Sequence, residues 1–318
     1  RTGERLLLEV NLLGSDTGAS LFGWQLELES TDAARAAKQV TAHFCSHFEV
    51  DLTFGMIIHA LSKPEPVRTV QDVFLLTLPH IYSAEGYDPD KALLSLESAL
   101  RIDPGYGPAL CAMAWVRSTH SKHNSNPGEI STTSNLARRA IQYSQDDPFV
   151  LGWAAVVIAH SDRDIRFAQD VVQRALSFNP HSPMALLAAA FIAHYAGDDD
   201  RAEEMIDRIE AQDSAGPMTF LYLSCRAMVR YQQGRYADAE ETARRALSHN
   251  PTFIIPMRVQ AASLAKLGRL REARRMTRLM VEIDPSEHLQ FFRKRSPYQA
   301  REPVAALCDG LRLAGLPE

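Results

Sequence analysis

His43, Cys45 and His47 form the closest grouping of metal-ligating side chains in the sequence. The two histidines are four residues apart on a predicted helix, so they would share one face. Cys45 lies between them and would point to another side of that helix. We therefore interpret the group as a partly buried helix face, and we predict neither a metal ion nor a cofactor for this chain.

Two clusters of charged residues could also carry chemistry. Asp198, Asp199 and Asp200 resemble the acidic run of a cation-binding loop, but they open a predicted helix B. Carboxylates at that place accept hydrogen bonds from free N–H groups and favour the positive helix end. Arg271, with the basic residues up to Arg278, forms the outer face of another predicted helix. We interpret both clusters as structural, the second as a solvated surface.

Motifs of the common enzyme classes are missing from the sequence. It contains no G-x-x-x-x-G-K-[ST], G-x-G-x-x-G, H-E-x-x-H or G-x-S-x-G pattern. The net charge of -5 and the pI of about 6.1 argue against a surface for nucleic acid, which needs clustered lysine and arginine. We therefore predict that this fragment is not an enzyme and does not bind nucleic acid. Whether the full-length protein has a catalytic domain upstream is left open.

The four cysteines, Cys45, Cys111, Cys225 and Cys308, are far apart and form no C-x-x-C pair. We interpret them as isolated thiols of a reducing compartment, with a disulfide left as the alternative. The sequence has no apolar run of membrane-spanning length and no visible secretory signal. The expected location is the cytoplasm, or the periplasm if a transmembrane helix precedes this fragment.

The helices that carry these residues are marked by proline and glycine residues that recur at their ends. Prolines preceded by Asp, Asn or Gly recur through the chain, and the last three, Pro217, Pro251 and Pro285, are spaced by 34 residues. The best unit runs from Tyr231 to Pro251. Within it Gly234 would end one helix in a left-handed conformation, and Pro251 would stop the next one.

Small residues complete the same unit. Ala239 and Ala246 are two turns apart and would let the second helix approach its partner closely. Gly268, Ala273 and Pro285 repeat the layout in the next unit. Together these landmarks resemble the tetratricopeptide repeat, which implies a right-handed α-solenoid over about two thirds of the chain.

We predict six helical hairpins, each made of a helix A and a helix B. A polar insertion at 122–128 is expected to be a loop, and stretches near 286–294 and 300–314 are expected to cap the open end of the array. The predicted A/B pairs are 67–84/88–101, 107–120/130–144, 148–160/164–178, 182–196/199–211, 217–233/236–249 and 252–267/270–283.

The first sixty residues have a different pattern. Residues 5–13 and 19–28 are predicted to be strands of a β-hairpin with a turn at Gly14–Gly18. A helix is predicted from Thr31 to about Phe48. This unit either completes an α/β segment whose earlier strands are absent or docks on the first repeat. The resulting division is 1–62 for the α/β segment, 63–66 for a linker, 67–285 for the repeats and 286–318 for capping helices.

A more specific resemblance involves the hairpin turn. Its sequence resembles the C-terminal region of bacterial class III adenylate/guanylate cyclases and of winged-helix transcriptional regulators, in which a TolB-like segment precedes tetratricopeptides. Residues 25–28, however, replace the charged residues that are usual there. The resemblance implies that the chain is the C-terminal part of a bacterial signalling protein. The matching residues are Leu13, Asp16, Thr17, Gly18, Ala19 and Trp24.

In tetratricopeptide arrays helix A of each hairpin lines a concave groove. Counting from the proline and glycine landmarks gives groove positions that are aromatic and nearly uncharged, which suits an amphipathic helix or an extended apolar segment. The predicted partner-binding residues are Phe74, Thr77, Ile81, Cys111, Trp115, Ser118, Trp153, Val157, His160, Leu187, Phe191, His194, Ser224, Met228, Tyr231 and Arg258.

The predicted function is a regulatory or sensor module without catalytic activity. Its partner would be a protein, a peptide or the effector domain of the same protein. The alternative is a structural scaffold whose repeats mediate formation of a homodimer or higher homo-oligomer.

Overall fold

A pair of strands and an array of helices make up the part of the chain that the computed structural model describes, namely residues 6–13, 20–28, 56–82, 88–119, 127–212 and 218–318. Strand β1 (Leu6–Leu13) pairs with the antiparallel strand β2 (Ser20–Leu28), with a register shift near the turn. These are the two stretches for which the sequence predicts strands. The predicted helix 31–48, with His43, Cys45 and His47, and the turn at 14–18 lie outside the described residues.

The predicted linker leads into the array through ordered contacts. Residues 56–62 are helical, and a short 3-10 helix follows at Glu65–Val67. The Lys63 ammonium is 2.9 Å from a carboxylate oxygen of Asp72. Asp72 also accepts hydrogen bonds from the backbone N–H and the hydroxyl of Thr69 at 2.8 and 2.9 Å. This capping arrangement fixes the start of the first helix of the array.

Within the described residues given above, twelve helices form six consecutive hairpins, so the predicted α-solenoid is confirmed. The odd-numbered helices are helix A of each hairpin and the even-numbered ones are helix B. They are α1 (Val70–Tyr82), α2 (Pro89–Ile102), α3 (Gly107–Thr119), α4 (Pro127–Tyr143), α5 (Pro148–Ser161), α6 (Ile165–Phe178), α7 (Pro183–Ala196), α8 (Asp199–Glu210), α9 (Thr219–Gln232), α10 (Tyr236–His249), α11 (Ile254–Lys266) and α12 (Leu270–Ile283).

The predicted helix stops are local backbone features. Gly197, Gly234 and Gly268 have φ angles of 88°, 75° and 76°, the left-handed region in which a Cβ atom would be strained. After α9 the N–H of Gly234 donates to the carbonyl of Tyr231, and the N–H of Arg235 donates to that of Arg230. This pattern satisfies carbonyl groups that a helix end would otherwise leave free.

Helix starts and helix contacts also follow the sequence pattern. Asp198 caps α8 by accepting a hydrogen bond from the N–H of Arg201 at 3.0 Å, as expected for a carboxylate at a helix start. Ala239 and Ala246 of α10 are fully buried, as is Ala273 of α12. A methyl group at such positions lets neighbouring helices pack at short distance, which explains why the unit needs alanine there.

Two further helices follow the sixth hairpin, α13 (Leu289–Arg295) and α14 (Glu302–Leu313). They were expected to cover the open end of the array. In the structure α14 packs against α11 and α9 on the helix-A side, and the Thr277 hydroxyl of α12 donates to the carbonyl of Ala314 at 2.9 Å. The residues before α14 lie along the helix-A side of earlier hairpins. We refer to residues 287–303 as the C-terminal segment. The path of this segment along the array is a feature that the repeat pattern does not indicate.

Candidate functional site

The predicted groove residues all lie on helix A of their hairpins, but most of them are not open to solvent. Of the sixteen, only Trp115, His160 and Arg258 keep intermediate exposure, and the other thirteen are buried. The expectation of an open aromatic surface is therefore corrected. Two kinds of contact bury these side chains, namely packing between hairpins and cover by the C-terminal segment.

Packing between hairpins buries the aromatic residues near the start of the array. The ring of Trp153 in α5 lies 4.8 Å from that of Trp115 in α3 and 5.5 Å from that of Tyr82 in α1, both edge-on. Phe149, one turn earlier in α5, stacks on Trp153 at 5.8 Å. Phe74 makes a similar contact with Tyr106. Offset and edge-on pairs of this kind are stabilising core contacts, so these rings join successive helices A.

The C-terminal segment covers the groove in the middle of the array. The Nδ1 atom of His194 in α7 donates to the carboxylate of Asp199 at 2.6 Å, and its Nε2 atom is hydrogen-bonded to the hydroxyl of Tyr298 at 2.6 Å. The backbone N–H of Gln299 donates to the carbonyl of Tyr195 at 3.1 Å. A side-chain hydrogen bond from Tyr298 and a backbone hydrogen bond from Gln299 thus hold neighbouring residues of the segment on α7.

The segment also reaches hairpins far from it in sequence. Arg295 donates from its Nη2 atom to the carbonyl of Ser118 at 2.9 Å, across 177 residues of chain. Arg163, in the turn between α5 and α6, donates to the carbonyl of Lys294. At the other end of the groove the hydroxyl of Tyr231 donates to the carbonyl of Ala306 at 2.9 Å. The segment and the start of α14 thereby contact hairpins two to six.

A buried ion pair anchors the beginning of the segment. Arg258 of α11 binds both carboxylate oxygens of Glu287, one of them at 2.9 Å. The Glu287 side chain is only 1% exposed. A bidentate pair of this kind has a fixed geometry as well as a favourable energy. Removing either partner would leave a buried charge without compensation, which is strongly destabilising.

His160 lies beneath the segment and is hydrogen-bonded through Nε2 to the hydroxyl of Tyr195 at 2.8 Å. Burial lowers the pKa of His160 to about 3, and the charges of Arg295 and Arg258 act in the same direction. The imidazole is therefore uncharged at neutral pH. Burial also raises the pKa of Tyr195 and of Tyr298 well above the usual tyrosine value. These groups serve as hydrogen-bonding groups without charge.

The three described cysteines, Cys111, Cys225 and Cys308, are buried free thiols. Burial raises the pKa of each thiol, which suppresses the reactive thiolate. Within the described ranges no three His, Cys, Asp or Glu residues are arranged to hold a metal ion. No helix in that part of the chain is long and apolar enough to span a membrane.

The C-terminal segment contains residues of the candidate site that sequence reasoning missed, above all Arg295, Ser296 and Tyr298. Their signal is the run from Phe291 to Tyr298, which combines two phenylalanines, three basic residues and a proline. A helix that only covers the end of a solenoid needs a polar outer face. This mixed run, interrupted by Pro297, is more typical of a segment that lies in a groove.

Comparison with known proteins supports the fold. Residues 220–253 match the family model of the tetratricopeptide repeat, and no curated protein sequence matches the chain. The solved structure of the human IFIT1 dimer with m7Gppp-AAAA has a TM-score of 0.55 at 13% identity, covering 89% of this chain and 66% of that one. The APC/C hetero-tetramer Cut9-Hcn1 has a TM-score of 0.55 at 12% identity, covering 89% and 56%.

At these identities the likeness concerns the fold alone. The matched repeat, 220–253, contains Gly234, Ala239, Ala246 and Pro251, the landmarks on which the repeat was recognised. The described array is therefore a tetratricopeptide-like solenoid. The chain spans between about half and two thirds of the length of these two structures.

Proposed function

We propose that this chain is a non-catalytic interaction module whose helix-A groove binds a protein or peptide segment, and that its own C-terminal segment occupies the groove in the resting state. The observation that carries this proposal is the set of hydrogen bonds that join residues 287–303 to helices α3, α7, α9 and α11. A groove that holds a segment of its own chain has the shape and the hydrogen-bonding groups to hold a similar segment of another.

The bound segment indicates the chemistry of the partner. Its anchors are a tyrosine hydroxyl on His194, a guanidinium on the Ser118 carbonyl and a carboxylate on Arg258. Between them the aromatic rings of Phe292 and Tyr298 lie against the array. The partner would thus present aromatic and basic residues in a short helix followed by extended chain. Aromatic and arginine anchors usually dominate such interfaces.

The resemblance of the hairpin turn to bacterial cyclases and transcriptional regulators extends this proposal. In that setting the partner would be an effector domain of the same protein, and release of the C-terminal segment would regulate it. Cut9-Hcn1, a hetero-tetramer, supports a role in protein assembly. The capped RNA in the IFIT1 structure is not carried over, because a net charge of -5 disfavours a phosphate backbone as ligand.

A peptide in trans tests the groove directly. A labelled synthetic peptide of residues 287–303 is titrated by fluorescence anisotropy into the parent chain and into a chain with Tyr298→Ala and Phe292→Ala. Both substitutions weaken the attached segment and leave the groove unchanged. We expect the variant to bind the peptide at least about tenfold more tightly than the parent, since the parent groove is occupied.

A matched control is Lys294→Ala, which removes an exposed side chain of the same segment. It should bind the peptide as weakly as the parent. Circular dichroism checks that the double variant keeps its helices. If the double variant keeps its helical signal and still fails to bind the peptide, the groove is not a peptide site and the proposal is wrong.

Self-association is the second candidate function, and a row of exposed apolar residues favours it. Ile102, Tyr143 and Phe178 are each the last residue of helix B in the first three hairpins, and they are 55%, 60% and 52% exposed. Light scattering at micromolar concentration separates the two functions. A stable dimer that Tyr143→Ser dissociates supports a scaffold, whereas a monomer with peptide binding supports the interaction module.

A further inference from the structure

A cavity of about 140 Å³ lies between the array and the C-terminal segment. Its walls include Trp115, Met228 and Arg258 on the side of the array and Phe291, Arg295 and Ser296 on the side of the segment. The volume is comparable with the roughly 150 Å³ cavity that accommodates benzene in an engineered protein. The space therefore suits a molecule of one ring with a small substituent.

The two arginines that line this cavity differ in their partners, although the carboxylates of Asp284 and Glu287 also line it. Arg258 is paired with Glu287, whereas no ion pair involves Arg295 in the described part of the chain. Its guanidinium donates to the Ser118 carbonyl and lies 4.7 Å from the ring centre of Phe291. Burial lowers the pKa of Arg295 to about 10, and the charge of Arg258 adds to this. A desolvated guanidinium of this kind is stabilised by an anion.

A second group on the cavity wall lacks a partner. The Ser296 hydroxyl belongs to a residue that is only 6% exposed, and it has no hydrogen-bond partner among the described residues. Buried hydroxyl groups nearly always have one. Arg295 and Ser296 both line the cavity, so a cation and a hydroxyl donor border the same space. The rings of Trp115 and Phe291 supply apolar walls beside them.

We infer that this cavity binds a small organic monoanion, a carboxylate on a flat apolar ring. The carboxylate would pair with Arg295 and accept a hydrogen bond from Ser296, and the ring would contact Trp115 and Phe291. A dianion such as phosphate fits less well, because Asp284 and Glu287 also line the cavity and would repel the second charge. The ligand would touch both the array and the segment, so its binding also holds the segment in place.

Isothermal titration calorimetry with benzoate as the probe tests this inference on the full chain. Benzyl alcohol has the same ring without the charge, acetate has the charge without the ring, and inorganic phosphate tests the dianion. We expect saturable binding of one benzoate, with each of the other three at least about tenfold weaker. Hydrogen exchange of residues 287–303 should slow when benzoate is bound.

Variants then assign the contacts. Arg295→Gln should weaken benzoate binding by at least about tenfold, and Ser296→Ala by about threefold or more, because each removes one bond to the carboxylate. Arg312→Gln is the matched control, since Arg312 carries the same charge on the exposed side of α14 and pairs with Asp309. It should bind benzoate like the parent. Circular dichroism checks that each variant remains folded.

Several outcomes would overturn the inference. They are an absence of saturable benzoate binding at millimolar concentration, binding that Ser296→Ala and Arg295→Gln both leave unchanged, and binding of phosphate as tight as that of benzoate. Arg295 also holds the segment, so Arg295→Gln could act by releasing it. Ser296→Ala separates these cases, because its hydroxyl bonds to nothing else in the described chain. If Ser296→Ala binds benzoate like the parent, the assigned geometry is wrong.

Discussion

Gly310 is a point of close approach between α14 and the array, and replacing it with alanine is a sensitive test of how the C-terminal region is held. A Cβ atom at this position would be 2.7 Å from the Cβ atom of Ala262 and 3.2 Å from its Cα atom, and it would also meet the hydroxyl of Tyr231. Carbon atoms in contact are normally about 3.5–4.0 Å apart. The new methyl group must therefore push α14 away from α11.

Two opposing effects decide the size of the change in the free energy of unfolding. Alanine is a better helix former than glycine by about 1 kcal/mol, which favours the variant. Overpacking costs about 1–3 kcal/mol, and displacement of α14 weakens the bond from Tyr231 to the Ala306 carbonyl, worth about 1 kcal/mol. We therefore expect Gly310→Ala to be destabilised by about 1–3 kcal/mol in total.

Urea denaturation measures the loss of stability, and hydrogen exchange shows where it occurs. Exchange should accelerate in residues 302–318 and in the C-terminal segment, with little change in α1–α6. The matched control is Asp309→Ala, one residue earlier on the exposed side of the same helix. It loses only a surface pair and should change stability by less than about 1 kcal/mol. If Gly310→Ala is as stable as the parent or more stable, α14 does not lie on α11 in this way.

Four further predictions follow from the same contacts. Trp153→Ala should destabilise the array by about 3–5 kcal/mol in urea denaturation, because the ring packs between α1, α3 and α5; stability within about 1 kcal/mol of the parent would mean that the ring is not core. Ala239→Leu and Ala246→Leu should each cost about 1–3 kcal/mol by overpacking, and parent-like melting of both would contradict the repeat register. Cys111 and Cys225 should react with a thiol reagent at pH 8 only after denaturation, because burial suppresses their thiolates; fast labelling of the native chain would contradict this. In an NMR titration the His160 imidazole should stay neutral until the pH falls to about 3, far below its usual pKa. Because the pKa is lower in the folded than in the unfolded state, the contribution of His160 to stability is complete above pH 6.5 and declines as the pH falls toward 3. The variant His160→Gln should reduce that decline.

The array was predictable because its signals are local. Gly234 ends a helix through its own φ angle, Asp198 caps a helix through a bond to a residue three positions away, and Ala239 marks a close helix contact through its size. Each rule operates within a turn or two of helix. Repetition of the same landmarks at a constant interval then identifies the solenoid.

The candidate site was predictable only in part. Counting landmarks correctly assigned all sixteen groove positions to helix A of their hairpins. Their burial was not predictable, because Trp153 is covered by rings from other hairpins and His194 by Tyr298, 104 residues away. A repeat pattern says which face a residue occupies, and it contains no information on what covers that face.

By itself the sequence determined the helices, their ends and their pairing into hairpins, since these depend on contacts between near neighbours. Only the tertiary structure decided where the C-terminal segment lies, and with it the bond from Arg295 to Ser118, the buried pair of Arg258 and Glu287 and the cavity between them. The physical reason is that a segment after the last repeat can cover the end of a solenoid or turn back along its groove. That choice depends on the fit of side chains that are distant in sequence, and their fit exists only once the array has formed.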